Sequence, residues 1–459
     1  MSHTFNPTIL REYDIRGIVG TTLTEADAYA LGRTFASQAR EEGARRIAVG
    51  RDGRTHSGML EAALIRGLNE SGIEVVQIGR GPSPMLYFAT HYLDVDAGIQ
   101  VTGSHNPAEY NGFKLLLKGR SVFGKEIQAL GHRAASGHWF DGNGGVEEVE
   151  VTQAYVDRLL EGFKGRPFRI GWDAGNGAAG PIVDMLVERL PGQHFTIFTN
   201  VDGHFPNHHP DPTVEKNLTD LKELVAGKQL DFGIAFDGDG DRIGAVDGKG
   251  RVIWGDQLLM ILAEPVLKDE PGATIIADVK ASQTLFDHIA ELGGKPLMWK
   301  TGHSLIKSKM KETGAPLAGE MSGHIFFKHR WYGFDDALYA AVRLIEAVSA
   351  SGQNLTGIME TMPSSMATPE LRFQVDEARK FAIVDEVRER LLDSGEKVNA
   401  TDGVRVSTSD GWWLLRASNT QDVLVARAEA KNQGGLDRLV AQINEQLSKS
   451  GVERIEAAH

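Results

Sequence analysis

The chain has 459 residues, a formal net charge of −13, 41% hydrophobic and 24% charged residues, and no cysteine. The acidic balance argues against nucleic acid as the main partner, and the missing thiol excludes disulfides, thiolate zinc sites and cysteine nucleophiles. The length favours about three domains of roughly 150 residues, each able to build a core without a structural metal.

Residues 1–11 carry no basic stretch ahead of an apolar one, and no run approaches the ~18 apolar residues of a membrane span. The expectation is a cytoplasmic chain with no targeting peptide. Further on, buried strands alternate with amphipathic helices. The first unit has strands over 46–50 and 73–78 around a helix over 59–72, then an apolar stretch over 97–101. Residues 131–145, rich in Gly and His, are the expected first linker. The second unit has strands over 168–172, 194–199 and 232–236, with a helix over 181–190. The third has strands over 273–277 and 295–299 around a helix over 282–292. Such alternation predicts βαβ units with mainly parallel sheets. The end of the chain changes character. Strands over 371–375, 403–407, 411–417 and 423–430 have short links between the last three, and helices over 378–393 and 435–449 flank them. The expected fold is therefore three similar mixed α/β domains plus a C-terminal α+β domain with an antiparallel sheet, around a central cleft. The expected limits are 1–150, 151–254, 255–366 and 367–459.

Asp237-Gly238-Asp239-Gly240-Asp241-Arg242 follows the apolar run 232–236 and so sits at the carboxyl end of a strand, where α/β proteins place ligands. Carboxylates at alternate positions with only glycine between them suit neither a helix face nor a core. The glycines let the backbone curl until all three reach one point. Oxygen ligands without nitrogen favour magnesium. An Asp-Gly turn needs one Asp, not three. An EF-hand loop needs Gly and Glu where Arg242 and Gly248 stand. A phosphatase with an aspartyl nucleophile is the rival reading, although its motif continues with Thr or Val where Asp241 stands.

Ser104 lies in Thr102-Gly103-Ser104-His105-Asn106-Pro107, after the apolar stretch 97–101. Pro107 stops a helix from running through the loop. A serine here also suits a turn cap. Beside a three-carboxylate site, the hydroxyl points to metal-assisted phosphoryl transfer. Glu320 and Ser322 share a Gly-rich loop and suit sugar hydroxyls, which both donate and accept. Arg416, Ser418, Asn419 and Thr420 lie between two strands and suit a phosphate that does not react. One competing motif, Gly175-Asn176-Gly177-Ala178-Ala179-Gly180 with Asp202 beyond it, matches a dinucleotide fingerprint. It explains neither Ser104 nor the aspartates, so the glycines are read as a tight strand–helix turn.

Seven motifs in order carry a family resemblance along the whole chain. They are Glu12-Tyr13-Asp14-Ile15-Arg16-Gly17, the Ser104 loop, Asn111-Gly112-Phe113-Lys114, the Asp237–Arg242 loop, Lys300-Thr301-Gly302-His303, Gly319-Glu320-Met321-Ser322-Gly323-His324, and Arg416-Ala417-Ser418-Asn419-Thr420. The sequence resembles the bacterial phosphomannomutase/phosphoglucomutase group of the α-D-phosphohexomutase superfamily. The resemblance implies an intramolecular phosphotransferase on mannose and glucose phosphates, with Ser104 phosphorylated. Its phosphate and Asp237, Asp239 and Asp241 hold Mg2+, a bisphosphorylated sugar is the intermediate, and glucose 1,6-bisphosphate is the activator. Glu320 and Ser322 grip the sugar hydroxyls. Lys114 and His324 are the proton carriers, a nearby cation lowering the lysine, and Arg16 is electrostatic support. His105 supports the serine loop, Arg242 and Lys280 add positive charge, and Tyr13 and His303 contact substrate. Gln421-Asp422 departs from the family's usual Glu-Pro, and Asp422 beside a phosphate is mildly repulsive. The partners are small-molecule sugar phosphates, with neither nucleic acid nor membrane, and the enzyme is a monomer or weak homo-oligomer. The link 362–365 is expected to let the last domain rotate over the cleft.

Overall fold

Four sheets form along the chain, and every expected strand lies in one of them. The computed structural model describes residues 2–419 and 422–453. In the first sheet Arg46–Arg51 pairs in parallel with Glu74–Arg80 and Ala97–Val101, and Tyr110–Leu117 then returns antiparallel. The second repeats this plan: Phe168–Asp173 pairs in parallel with Gly192–Ile197 and Phe232–Phe236, and Ile243–Asp247 returns antiparallel. In the third, Thr274–Asp278 pairs in parallel with Lys295–Trp299 and Leu317–Gly319, and Ile325–Phe327 returns antiparallel.

The three sheets are thus mixed, not mainly parallel. The antiparallel strands follow short loops, and their apolar residues do not separate in sequence from the parallel strand before them. This topology has a functional consequence. Each of the three expected loops, at Ser104, at Asp237–Asp241 and at Glu320–Ser322, is the turn from the last parallel strand to its antiparallel partner. The loops are therefore topologically equivalent.

The fourth sheet is antiparallel throughout, with Gly411–Ala417 paired to Val404–Ser407 on one side and Val423–Ala430 on the other. The strand Met366–Ala367 straddles the expected limit of the third domain and pairs with Val423–Ala430. The first six residues of the expected first linker are helical. Lys125–Ser136 is a helix because Ile127, Leu130 and Ala134 recur at helical spacing and are buried. Gly131 and His132 interrupt the apolar pattern without breaking the turn.

Candidate active site

Ser104 is buried, with 2% of its surface exposed, and its backbone holds a left-handed φ of 50°. A non-glycine residue in this region is strained by about 1–2 kcal/mol and needs support from its surroundings. The support comes from Arg54, whose Nη2 donates to the carbonyls of Ser104 at 2.8 Å and Asn106 at 2.6 Å. Its Nη1 donates to the carbonyls of Pro107 and Tyr110. Asp52 accepts from Thr102 Oγ1 at 2.9 Å and the Gly103 N–H at 3.2 Å. Neither Asp52 nor Arg54 was singled out from sequence, although Asp-Gly-Arg at the carboxyl end of a strand is a signal of a built loop.

The Ser104 hydroxyl donates to Asp237 Oδ2 at 3.0 Å and lies 3.2 Å from His105 Nδ1. A hydroxyl has one proton, so with Asp237 as its acceptor the His105 Nδ1–H is the donor to Oγ. Burial, then the charges of Arg242 and Arg16, hold His105 well below the ordinary histidine range. The two loops touch. A Cβ on Gly238 would lie 2.4 Å from the Ser104 carbonyl oxygen, so only glycine fits there. The strand–helix turn of the dinucleotide-like motif packs beneath, with the Ala178 N–H donating to the Gly238 carbonyl at 2.9 Å. Its glycines serve the fold of the acidic loop.

Asp237, Asp239 and Asp241 are fully buried, and one oxygen from each lies within 4.8 Å of the others. Asp237 Oδ1 accepts the backbone N–H groups of Asp241 at 3.0 Å and Arg242 at 3.1 Å. Asp239 Oδ2 accepts from Lys114 Nζ at 2.7 Å and from the Ser83 hydroxyl, and Asp241 Oδ2 accepts from Lys114. Asp239 Oδ1 and Asp241 Oδ1 have no hydrogen-bond partner among the described residues. Each aspartate therefore has one oxygen fixed by the protein, and two of the remaining oxygens are buried lone pairs without a donor. An all-oxygen set with orphaned carboxylate oxygens fits a hard divalent cation. Burial and the charges of Asp239 and Asp241 push Asp237 well above the carboxylate range, while burial of Asp239 is outweighed by Lys114 and Ser83, which hold it low.

Lys114 departs from the reading that a neighbouring cation lowers it. Burial does oppose its charge, but Asp239 and Asp241 outweigh burial and hold it well above the ordinary lysine range. His324 Nε2 accepts from Arg242 Nε at 3.0 Å, so its proton sits on Nδ1. That nitrogen stands 3.0 Å from Asp335 Oδ2, off the line a hydrogen bond needs, and 3.6 Å from Asp241 Oδ1. Lys307 Nζ donates to Asp335 Oδ1 at 3.0 Å. Asp335 and Lys307 carry no motif signal, since their partners come from the fold.

These loops face one cleft of about 1170 Å³, with Lys and Arg outnumbering Asp and Glu along its walls. That local reversal of the chain's charge suits an anionic ligand. Tyr13, Arg16, Ser104, His105, Lys114, Arg242, Lys280, His303, Glu320, Ser322, His324, Arg416, Ser418 and Asn419 all line it. Arg16 Nη1 donates to Asn106 Oδ1 at 2.5 Å. Glu320 Oε1 accepts the Gly302 N–H at 2.5 Å, and burial raises its carboxyl above the usual range. Lys280 Nζ lies 3.3 Å from Glu370 Oε2, and although burial opposes it, Lys280 with Arg372 holds Glu370 down to about 2. Arg416 Nε donates to Asp402 Oδ2 at 3.0 Å, and Asn419 Nδ2 donates to Tyr13 Oη at 2.6 Å. Thr420 and Gln421 lie outside the described residues. Asp422 is exposed and is not part of the cleft wall. Cleft residues without an expected role include Arg11, Trp254, Arg372 and Arg427.

A serine held against converging carboxylates, in a basic cleft closed by a polar Glu-Ser loop and an arginine hairpin, defines a four-domain phosphoryl-transfer enzyme. Family models for phosphoglucomutase/phosphomannomutase match in order: α/β/α domain I at 7–138, domain II at 153–250, domain III at 254–366 and the C-terminal domain at 370–446. The phosphomannomutase/phosphoglucomutase of Pseudomonas aeruginosa is 44% identical over 97% of this chain and 96% of its own. The phosphoglucomutase of Neisseria gonorrhoeae is 44% identical over 94% of this chain and 95% of its own. A crystal structure of a phosphoglucomutase/phosphomannomutase family protein from Burkholderia thailandensis superposes with a TM-score of 0.93 at 42% identity, covering 98% of this chain and 99% of that one. The chain belongs to the phosphoglucomutase/phosphomannomutase family of the α-D-phosphohexomutase superfamily, and it is an isomerase that interconverts hexose phosphates. Among the described residues no helix is long and apolar enough to cross a membrane.

Proposed function

We propose that the chain interconverts the 1-phosphates and 6-phosphates of mannose and glucose through a phosphoserine at Ser104. The observation that carries this reading is the Ser104 hydroxyl, buried 3.0 Å from Asp237 Oδ2, beside two carboxylate oxygens without donors. In the forward half-reaction a sugar hydroxyl oxygen forms a bond to phosphorus as the bond from phosphorus to Ser104 Oγ breaks. Lys114 gives a proton to the departing serine oxygen, and His324, once Arg242 Nε releases its Nε2, receives the proton lost by the sugar hydroxyl. Arg16 and Arg242 supply positive charge. The resulting bisphosphate turns within the cleft and returns its other phosphoryl group to Ser104. Glu320 and Ser322, with Tyr13 and His303, hold the sugar, while Lys280, Arg416, Ser418, Asn419 and Thr420 anchor the phosphate that does not react.

Asp237, Asp239, Asp241 and the phosphoserine would hold Mg2+, which supplies neutralisation of charge on the phosphoryl oxygens. Glucose 1,6-bisphosphate is the proposed activator, giving one phosphoryl group to unmodified Ser104. All four loops come from one chain, which suits a monomer or weak homo-oligomer, and phosphorylated sugars held inside the cell suit a cytoplasmic enzyme. No finding favours the alternative, a magnesium-dependent sugar phosphatase acting through Asp237. The test is Ser104→Ala. A mutase loses at least ~1000-fold in kcat and no longer takes label from radiolabelled bisphosphate; a phosphatase retains hydrolysis, and that result would replace this reading.

A further inference from the structure

Ser83 takes no part in the motifs or in the reaction above, yet it touches the acidic loop twice. It begins the helix Ser83–Tyr92 of the first domain, is fully buried, and lies far in sequence from the second domain's aspartates. Its hydroxyl donates to Asp239 Oδ2, and its backbone N–H donates to the Asp239 carbonyl oxygen at 2.8 Å. One residue of the first domain thus fixes both the side chain and the main chain of a residue of the second. The surroundings leave it little freedom. Pro82 has φ −67° and Pro84 follows, so both flanking φ angles are set by ring closure. Pro82 presses on the acidic loop at Gly240, where a Cβ would meet the Pro82 Cβ at 2.9 Å.

The consequence is chemical. With Ser83 and Lys114 on Oδ2, the other oxygen, Oδ1, is left buried and without a donor. A carboxylate free to rotate would offer either oxygen, or both, to a cation. Asp239 cannot, because rotation breaks two charge-assisted hydrogen bonds in a buried site. We propose that Ser83 is a positioning residue for the metal site, which selects Oδ1 of Asp239 as the cation ligand and locks the acidic loop of the second domain to the serine-bearing first domain. This rests on the reading that Asp237, Asp239 and Asp241 hold a divalent cation. Partners that orient a metal-binding carboxylate typically change metal affinity by about 10–100-fold when removed.

The experiment measures Mn2+ binding by electron paramagnetic resonance to the full chain, without substrate, for wild type, Ser83→Ala, Ser83→Thr and Asp241→Asn, with thermal unfolding alongside. Expected are tight binding in wild type, loss of at least about 10-fold in Ser83→Ala, recovery in Ser83→Thr, which restores the hydroxyl, and loss in Asp241→Asn. kcat in saturating substrate should fall with Mn2+ affinity, while KM moves little. Wild-type binding with unchanged affinity in a folded Ser83→Ala overturns the role given to Ser83 and leaves the metal site standing. If Ser83→Ala does not fold, Ser83→Thr with affinity as low as Asp241→Asn overturns it equally. Wild type and Asp241→Asn binding alike, at no defined site, overturns the metal reading itself.

Discussion

The seam joining the first three domains and the seam joining the fourth are made of different materials. In the first, Phe88 of the first domain packs on Tyr155 of the second at 5.5 Å between ring centres and on Tyr332 of the third at 6.3 Å, and Tyr87 meets Phe334 at 5.4 Å. One apolar core runs without interruption through these contacts and includes residues of all three domains. The fourth domain keeps a core of its own, and the apolar bridge to the third is a small cluster of Val279, Trp412 and Leu414. Buried polar contacts surround it. Arg405 donates to the carbonyls of Val279 at 2.6 Å and Ala281 at 2.8 Å, Glu429 accepts from Ser282 Oγ at 2.9 Å, and Asp402 accepts the Thr301 N–H at 3.1 Å.

The difference separates two duties. Loops that must agree to within an ångström, those of Ser104, Asp237–Asp241 and Glu320, sit on a body whose seams cost apolar burial to open. The loop expected to hold only the far phosphate sits on a domain joined mainly by hydrogen bonds, which water replaces once the seam opens. The proposed reaction, in which a bisphosphate turns without escaping, asks for such an arrangement, a rigid floor under a domain that can move.

The largest effect should come from the apolar seam. Phe88→Ala leaves a cavity where three domains meet and should cost about 3–5 kcal/mol. Chemical denaturation should show one earlier transition for the three-domain body; a loss below about 1 kcal/mol would mean that the aromatic contacts do not hold the seam. Next is Arg405→Ala at the polar seam. Burial pushes Arg405 down to about 9, against the pull of Glu429, and its loss leaves two buried carbonyls without donors. A cost of about 2–3 kcal/mol is expected, borne by the docking of the fourth domain onto the third. Calorimetry should resolve an early transition for that domain and scattering should report a wider particle. A single unsplit transition at wild-type position would erase the contrast between the seams.

Asp336 is the polar exception inside the apolar seam. It caps the helix Ala337–Ser351 and accepts from Tyr155 Oη at 2.8 Å across the second and third domains. Burial pushes it up to about 7, whereas the unfolded chain titrates near the ordinary ~4. Between these values the folded form holds a proton that the unfolded form lacks. Stability from this group is therefore full below about pH 4, declines as pH rises toward about 7, and is flat above. Asp336→Asn should remove that slope and unfold at a higher temperature than wild type at pH 8. Parallel curves of unfolding temperature against pH for the two proteins would contradict it.

How much of this was readable in advance depends on how far apart the partners lie. The run 232–236 reads as a buried strand on its own, because every residue is apolar or glycine. The Ser104 and Asp237–Asp241 loops also read well, because their chemistry is packed into six residues. Ser83 does not, since its meaning comes from Asp239, and neither does the seam, whose Phe88, Tyr155 and Tyr332 look like ordinary core positions one at a time. Lys114 lines the cleft, but its charge state is not legible in the sequence, because only the fold puts two carboxylates against it.

Tyr13 offers the mildest test, at the point where the three-domain body meets the fourth domain. Its hydroxyl donates to the Thr301 carbonyl at 2.8 Å and accepts from Asn419 Nδ2 at 2.6 Å, so one phenol joins the first, third and fourth domains. Burial raises the phenol, which stays neutral and keeps both roles. Tyr13→Phe keeps the ring against His303, 6.0 Å between centres, and deletes the clasp. Loss of this hydrogen-bonded bridge should cost about 0.5–1.5 kcal/mol, all of it in the closed arrangement, since the separated domains never make the contact. The closed fraction then falls by up to about tenfold, and apparent affinity falls with it. KM should rise while kcat at saturation stays within about twofold. An equal fall in kcat with unchanged KM would instead place Tyr13 with the fixed machinery, and would move that boundary into the first domain.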